Sequence, residues 1–317
     1  MRPWFAKATH VIQQKSSVVP SCACRIIEAT VVQQSPGHAI ITGATQGIGL
    51  EAARELARLG YRLTLVARDP DSLGRVAAGI NALAGAGVVT TRVADLSLLR
   101  QVKRLGEEIL AAGEPIQALV HNAGAYFNPR RVTGEGVETT WALNHLAVFG
   151  LTRLLEPLLL ASAPARVVVV SSNAHNMVRD LPLDDLEYSR NYRALQAYGR
   201  SKLANILFVR EQARQWSEAS GLTINAVHPG VVRTRFFRGN GLMGWFWRTL
   251  LNRVAITPAA GARGLVQLAA DSAMQGVTGK YFNQMTEKEP SALAQNADLA
   301  QRLWEASARR WVEVTGG

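Results

Sequence analysis

The sequence predicts a single α/β domain in which a mainly parallel, seven-stranded sheet is doubly wound, with helices on both faces. Three observations carry that expectation. From His38 to the C-terminus, short and almost wholly apolar runs alternate with longer stretches patterned at helical spacing. The apolar runs read as buried strands, which fits a parallel sheet covered on both sides. No Pro/Gly/Ser-rich linker, internal repeat or low-complexity segment breaks the alternation, so βαβ units with right-handed crossovers follow. The domain is expected over residues 36–317, after an extension over residues 1–35 expected to be poorly ordered.

The elements follow in order. Residues 38–42 read as the first strand, and 47–59 as a helix with Ala52, Ala53, Leu56 and Leu59 at helical spacing, closed by Gly60. Residues 61–67 are the second strand and 70–84 a helix; 88–94 are the third strand and 97–112 a helix ending near Gly113. Residues 117–121 form the fourth strand, followed by a long helical region over 134–162. A run with four consecutive valines, 166–171, is the fifth strand, and 193–219 another long helix. Residues 222–228 are the sixth strand, 258–271 a helix, 279–283 a last short strand, and 292–312 a helical tail.

Composition narrows the function classes. The chain has 317 residues, 48% hydrophobic and 19% charged, an ordinary globular composition with ample length for a large core. Its formal charge of +11 comes mostly from scattered arginines. A nucleic-acid binder usually shows a basic stripe; none is found, so nucleic acid is not expected as a partner. The charge reads as solubility and attraction for phosphates or anionic surfaces. No apolar run reaches the ~18 residues that would span a bilayer. The two cysteines, Cys22 and Cys24, stand too close to pair readily, and no His or Cys cluster lies nearby to complete a metal site. A cytoplasmic or other reducing compartment is the simplest expectation. Residues 1–35 are basic, with no acid before Glu28, and lack the continuous apolar core of a secretory signal. That start is compatible with organelle targeting or with a disordered tail.

Chemistry-bearing residues gather where strands end. The first strand runs into Thr42-Gly43-Ala44-Thr45-Gln46-Gly47-Ile48-Gly49. Glycines there permit a tight turn and a close approach of backbone to a pyrophosphate, and the following helix offers free N–H groups at its positive end. The second strand ends in Arg68-Asp69. An acid at this place suits the ribose hydroxyls of NAD, an arginine the 2′-phosphate of NADP. Arg68 argues for NADP(H) over NAD(H), while Asp69-Pro70 also reads as a helix cap. Asp95, before Leu96, either faces an adenine or caps the next helix. Asn122-Ala123-Gly124 follows the fourth strand with side chains small enough for the backbone to lie against a cofactor. Ser171-Ser172 ends the fifth strand, where a hydroxyl could donate to a substrate carbonyl or serve a turn. His228-Pro229-Gly230 makes a rigid turn at the same edge.

Tyr198 and Lys202 stand four apart in a helix and so share a face, with Cβ atoms about 5–6 Å apart. An ammonium held there is expected to favour the tyrosinate and lower the phenol's pKa, making Tyr198 a proton donor and acceptor near neutral pH.

Taken together, Thr42-Gly43-x-x-x-Gly47-x-Gly49, Asn122-Ala123-Gly124, Asn144-His145-Leu146, Ser171-Ser172-x-Ala174-His175, Tyr198-x-x-Ser201-Lys202-Leu203-Ala204-Asn205 and His228-Pro229-Gly230-Val231-Val232-x-Thr234 resemble the short-chain dehydrogenase/reductase superfamily. With Gly279-Lys280-Tyr281-Phe282 and Leu303-Trp304-Glu305-x-Ser307, the chain is similar more narrowly to the retinol dehydrogenase-like branch, over residues 38–312. The resemblance implies a Rossmann-type, NAD(P)-binding catalytic domain and hydride transfer between a nicotinamide and an alcohol or carbonyl. It implies that Tyr198 is the general acid/base, that Lys202 lowers its pKa and binds the nicotinamide ribose, that Ser172 orients the carbonyl, and that Asn144 holds a relay water. Cofactor contacts are expected at Gly43, Thr45, Gln46, Gly47, Ile48 and Gly49 in the first turn. Arg68, Asp95 and Leu96 follow, then Asn122, Ala123 and Gly124, then Tyr198 and Lys202, and finally Pro229, Gly230, Val232 and Thr234.

Two departures stand out. His121 takes the place where the family usually has a first asparagine, and 26 residues separate Ser172 from Tyr198, a long gap typical of the retinol dehydrogenase-like branch. Residues 179–193 are expected as a surface excursion beside the pocket.

The stretch 236–247, rich in aromatics and glycines and including Trp245 and Trp247, reads as a lid over a small apolar carbonyl or alcohol substrate. Peripheral membrane contact or an ordinary folded loop are the other readings. The helices at 134–162 and 193–219 could pair across a symmetry axis in a homo-oligomer, or spend their apolar faces on their own sheet. The alternative to an oxidoreductase is a catalytically silent nucleotide-binding regulatory or scaffold protein on the same fold. The intact Asn144, Ser172, Tyr198 and Lys202 argue against it.

Overall fold

The computed structural model describes residues 37–216, 218–231 and 256–316. The extension over residues 1–35, the cofactor contacts Val232 and Thr234, and the expected lid over 236–247 lie outside the described residues.

Strands β1 (His38–Thr42), β2 (Arg62–Ala67), β3 (Val89–Val93), β4 (Ala118–His121), β5 (Ala165–Val170), β6 (Leu222–His228), β7 (Tyr281–Asn283) and β8 (Thr286–Glu287) form one sheet in the order β3-β2-β1-β4-β5-β6-β7-β8. Pairing is parallel from β3 through β7. The sheet has eight strands where seven were expected. β8 is a two-residue antiparallel return from β7 through a turn in which Gln284 takes φ 57°. Two residues are too few to show any period in sequence.

The helices are α1 (Gly47–Arg58), α2 (Pro70–Ala84), α3 (Leu99–Ala112), α4 (Thr139–Ala161), α5 (Ala194–Gln215), α6 (Pro258–Ala270) and α7 (Ala297–Thr315). The double winding shows in which way successive strand residues point. In β1, Ile40 faces a core built with α3, α4, α5 and α7, while Ala39 and Ile41 face a second core built with α1, α2 and α6. Leu119 against Ala118 and Val120 repeats the pattern in β4, and Val167 and Val169 against Val168 repeats it in β5. Every residue of β1, β4 and β6 is buried, which is why these strands show apolar runs rather than alternation.

Two helices and the helical tail begin elsewhere than expected, and side chains set each start. α4 begins at Thr139, not residue 134, because the buried Glu138 carboxylate accepts from the N–H groups of Thr140 at 2.9 Å and Trp141 at 2.7 Å. α3 begins at Leu99 because Glu135 accepts from Leu99 at 2.5 Å and Arg100 at 3.0 Å. The tail splits into a short 3-10 turn, Ala292–Gln295, and α7, which Asn296 caps. Among the described residues, α4 is long and apolar enough by composition to cross a membrane, yet 61% of its apolar window is buried against this protein's own sheet and helices. Its apolarity is that of a core helix.

All five described histidines, His38, His121, His145, His175 and His228, are buried. Burial pushes their imidazoles below the ordinary 6.5, His121 to about 3 and His145 and His228 to about 4. The unfolded chain therefore binds more protons than the native one between those values and about pH 6.5. Stability is full above pH 6.5 and falls as pH drops through that window. Each tenfold difference in proton affinity between the native and unfolded chain is worth about 1.4 kcal/mol. The melting temperature should therefore fall by several degrees or more between pH 7 and pH 4.5. A melting temperature flat across that range would show that these rings keep near-ordinary proton affinity in the native state.

Candidate functional site

The strand order reverses between β1 and β4, where two connections leave in opposite directions. Such a switch point opens a crevice at the carboxyl edge of the sheet, and the sequence-expected residues converge on it. The turn after β1 carries Gly43 at φ 69° and Gly47 at φ 59°, a left-handed conformation open to glycine at little cost. This turn is tied to the β4 turn by Asn122. Its Nδ2 donates to the carbonyls of Thr42 and Gly43, both at 3.0 Å, and the Asn122 and Ala123 N–H groups both donate to Thr42 Oγ1 at 3.1 Å. A side chain at Gly49 would collide with the Asn122 amide. Gly43 and Gly49 therefore serve the joint between the two turns as well as any ligand above them.

Helix α1 starts there without a side-chain cap and without an acid in its first turn. Its first N–H groups and positive end are left for an external anion. Gln46 is exposed and Thr45, Gly47 and Ile48 are half-buried, so the turn is accessible. At the next strand Arg68 is exposed, while Asp69 is engaged. Its carboxylate accepts from Asp71 N at 3.2 Å and Ser72 Oγ at 2.5 Å, capping α2. Asp95 accepts at Oδ1 from the N–H and hydroxyl of Ser97, at 2.9 and 2.7 Å. It closes a turn and does not cap α3. Leu96 is buried in the core beside Val66 and Leu99, so only its backbone can reach a ligand.

Gly124 sits at the bottom of the crevice. A Cβ there would stand 3.2 Å from Asn144 Oδ1 and 3.4 Å from Lys202 Nζ, a cradle that a side chain would fill. Asn144 lies in a π-helical turn, Ala142–Leu146, inside α4. Such turns recur at functional sites. Asn144 is fully buried. Its Oδ1 accepts from Ala125 N at 2.8 Å, and its Nδ2 donates to Ala125 O at 2.9 Å and Ser201 Oγ at 3.0 Å. With both N–H groups spent, a water held by Asn144 must donate to its side-chain or backbone oxygen.

The two serines at the end of β5 divide their roles. Ser171 is buried and donates to the Lys202 carbonyl at 2.7 Å, pinning β5 to α5. Ser172 is half-buried and its hydroxyl accepts from Ala174 N at 3.2 Å. Burial pushes the Tyr198 phenol up to about 12, while its hydrogen bond to Ser172 pulls the other way. Lys202 Nζ donates to the Val170 carbonyl at 2.8 Å and stands 5.7 Å from the centre of the Tyr198 ring. Its own pKa is pushed down to about 8 by burial. The ammonium lies over the ring face and is held on a carbonyl, and burial dominates both groups. At neutral pH Tyr198 is the protonated, acid form.

Pro229 is buried and Gly230 takes φ 92°, closing the far side of the crevice. His121 points away from it. Its Nε2 lies 2.9 Å from Thr152 Oγ1, whose own proton goes to Val148 O at 2.8 Å. Nε2 therefore carries the imidazole proton, and His121 packs β4 on α4. Sequence reasoning gave no role to Thr42, Ser201 or Asn205. Thr42 braces Asn122, Ser201 receives Asn144 and donates to the Tyr198 carbonyl at 2.7 Å, and Asn205 joins His145 at 3.3 Å. Ser201 and Asn205 stood inside a quoted motif, at positions three and seven beyond Tyr198 that share its helical face. The excursion over 179–193 is anchored, with Arg130 donating to the carbonyls of Tyr188 and Glu187 and Tyr192 donating to Phe127 O at 2.9 Å.

Comparison with known proteins agrees with this geometry. The family model described as short chain dehydrogenase matches residues 37–242. Human retinol dehydrogenase 12 is 38% identical over 283 residues, covering 88% of this chain and 89% of that one. DnrU of Streptomyces sp. (strain C5), named for daunorubicin C-13 ketoreduction, is 42% identical over 275 residues, covering 86% and 92%. Among solved structures, an uncharacterised protein from Mycobacterium paratuberculosis superposes with a TM-score of 0.70 at 30% identity, covering 87% of this chain and 93% of that one. A crystal structure from Beutenbergia cavernae, named for NAD(P)-dependent gluconate 5-dehydrogenase and holding NADP at low occupancy, has a TM-score of 0.63 at 27% identity, covering 79% and 95%.

Proposed function

We propose, from the premise that the chain belongs to the short-chain dehydrogenase family and is a retinol dehydrogenase-like oxidoreductase acting on CH–OH groups, that it interconverts an apolar alcohol and its aldehyde or ketone with NADP(H). The observation that carries this reading is the convergence of Tyr198, Ser172, Lys202 and Asn144 on the crevice beside the uncapped start of α1. The nicotinamide, when bound, supplies or takes the hydride. Tyr198 gives its proton to the substrate oxygen during reduction and recovers one during oxidation. Ser172 donates to the same oxygen and holds it in line. Lys202 offers a charge on the cofactor side of the Tyr198 ring, and an Asn144 oxygen receives the water that resupplies protons.

The preference for NADP(H) rests on Arg68. The neighbouring Asp69, which would favour NAD, has its carboxylate spent on capping α2. A cavity lined by Thr45, Ser72, Arg54 and Arg75 opens beside the same turn and adds positive charge. Arg68→Ala should raise KM for NADPH about tenfold, the loss of one good charge-assisted contact, and leave KM for NADH nearly unchanged. An unaltered ratio of the two would remove Arg68 from the assignment.

An apolar substrate is supported by the groups near Tyr198. The Tyr126 ring lies edge-on to it at 6.3 Å, and Leu195, one helical turn earlier, is 42% exposed. The names of the retinol and daunorubicin relatives point to bulky, largely apolar substrates of those proteins. The test is a panel of aldehydes, ketones and alcohols, followed through the absorbance of the reduced nicotinamide with both cofactors. Turnover should favour apolar members with NADPH. Tight cofactor binding without turnover across the panel would instead indicate a silent nucleotide-binding protein.

A further inference from the structure

His175 has no part in the chemistry described above, yet its side chain is fully buried between Ser172 and the C-terminal portion of the chain. Its Nε2 accepts the backbone N–H of Ser291 at 3.2 Å. A ring nitrogen that accepts carries no proton, so the proton of the neutral imidazole is on Nδ1. Nδ1 donates to the Ser172 carbonyl at 2.7 Å, which also takes the His175 backbone N–H at 3.1 Å. Burial holds the ring's pKa below its usual value, which keeps the single-proton form this bridge needs.

A second grip lies beside it. The Tyr281 ring of β7 stands edge-on to His175 at 5.0 Å, and its hydroxyl donates to Asn173 Oδ1 at 2.7 Å. The Ser172-Asn173 turn is thus held from the β7 side and from the segment leading to α7. A serine hydroxyl has one rotatable bond beyond its backbone. Fixing the peptide plane at Ser172 therefore limits Oγ to the few staggered positions about that bond, one of which faces Tyr198.

We propose that His175 is a positioning residue: the relay from Ser291 N–H through the imidazole to the Ser172 carbonyl sets the Ser172 hydroxyl in line with Tyr198 and the substrate oxygen. The proposal rests on the reading of Ser172 as the carbonyl binder. It makes catalytic geometry depend on the docking of the segment before α7, more than 100 residues away in sequence.

The test compares wild type, S172A, H175F, H175N and the double variants S172A/H175F and S172A/H175N, with kcat, KM, NADPH affinity and melting temperature measured for each. A displacement of about 1 Å at a reacting group can cost on the order of 100-fold, so H175F should lose about 10- to 100-fold in kcat with NADPH affinity unchanged. H175N can still donate to Ser172 O from its amide but falls short of Ser291, and should recover part of that loss. The deciding result is the double variant. With no hydroxyl left to position, S172A/H175F should be no slower than S172A. A loss in the double variant equal to the product of the single losses would overturn the proposal and make His175 a packing residue, as would wild-type kcat in H175F. Should H175F fail to fold, H175N and S172A/H175N give the same comparison. Wild-type kcat in S172A would overturn the carbonyl-binder reading itself, whereas a slow S172A beside an unimpaired H175F would overturn only the role of His175.

Discussion

Tyr198→Phe is expected to lower kcat/KM by ~10²- to 10⁴-fold, the usual worth of a positioned acid/base, while NADPH affinity stays close to wild type. The variant removes one oxygen, the atom that hydrogen-bonds Ser172, and leaves the ring that packs edge-on with Tyr126. Burial holds the phenol up to about 12, so at neutral pH Tyr198 is ready to protonate a carbonyl. Oxidation needs the tyrosinate, which grows only as pH rises toward that value. Through its effect on Tyr198 alone, alcohol oxidation should therefore climb with pH through the alkaline range, while carbonyl reduction should hold nearly steady to pH 10. Steady-state rates in both directions between pH 6 and 10 would check this. A Phe variant that turned over at the wild-type rate would remove Tyr198 from the chemistry.

Lys202→Met is expected to have the next largest effect, weakening NADPH binding and lowering kcat, each by about tenfold or more, the scale of one lost buried charge-assisted contact. Lys202 is 3% exposed and its Nζ is held on the Val170 carbonyl beside Gly124. Burial lowers its pKa to about 8. The free enzyme therefore carries the charge below pH 8 and loses it as pH rises through that value. NADPH affinity of the wild type should fall across the same range, and that dependence should vanish in the methionine variant. Titration calorimetry at pH 7 and pH 9 separates the cases. An equal pH dependence in both proteins would assign it to another group.

The sheet was legible because its central strands are buried on both faces. Ile40 and Ile41, or Val167 and Val168, face opposite cores, and a run of such residues has few other homes. The starts of α4 and α3 were harder to read, since they are set by Glu138 and Glu135, side chains whose capping depends on where the chain folds back. β8 is too short for any period. At the site, the glycine turn, Asn122, Ser172, Tyr198 and Lys202 were readable from type and place. Three matters required coordinates. Sequence spacing puts Lys202 near Tyr198 but does not say that its ammonium is held on Val170 O, 5.7 Å from the ring centre. Nor does the sequence say whether the Asp69 carboxylate is open to a ligand or, as the structure has it, engaged in capping α2. Likewise His121, an odd residue by position, faces α4 through Thr152 rather than the crevice.

The central claim is that this crevice brings a nicotinamide hydride and the Tyr198 proton to one carbonyl. It is tested most directly with NADPH deuterated at C4, incubated with the purified protein and an apolar aldehyde or ketone, and analysis of the alcohol by mass spectrometry. The expected result is deuterium on the carbinol carbon in wild type and none above background in Tyr198→Phe. NADPH that binds tightly while no label reaches any apolar carbonyl offered would contradict it.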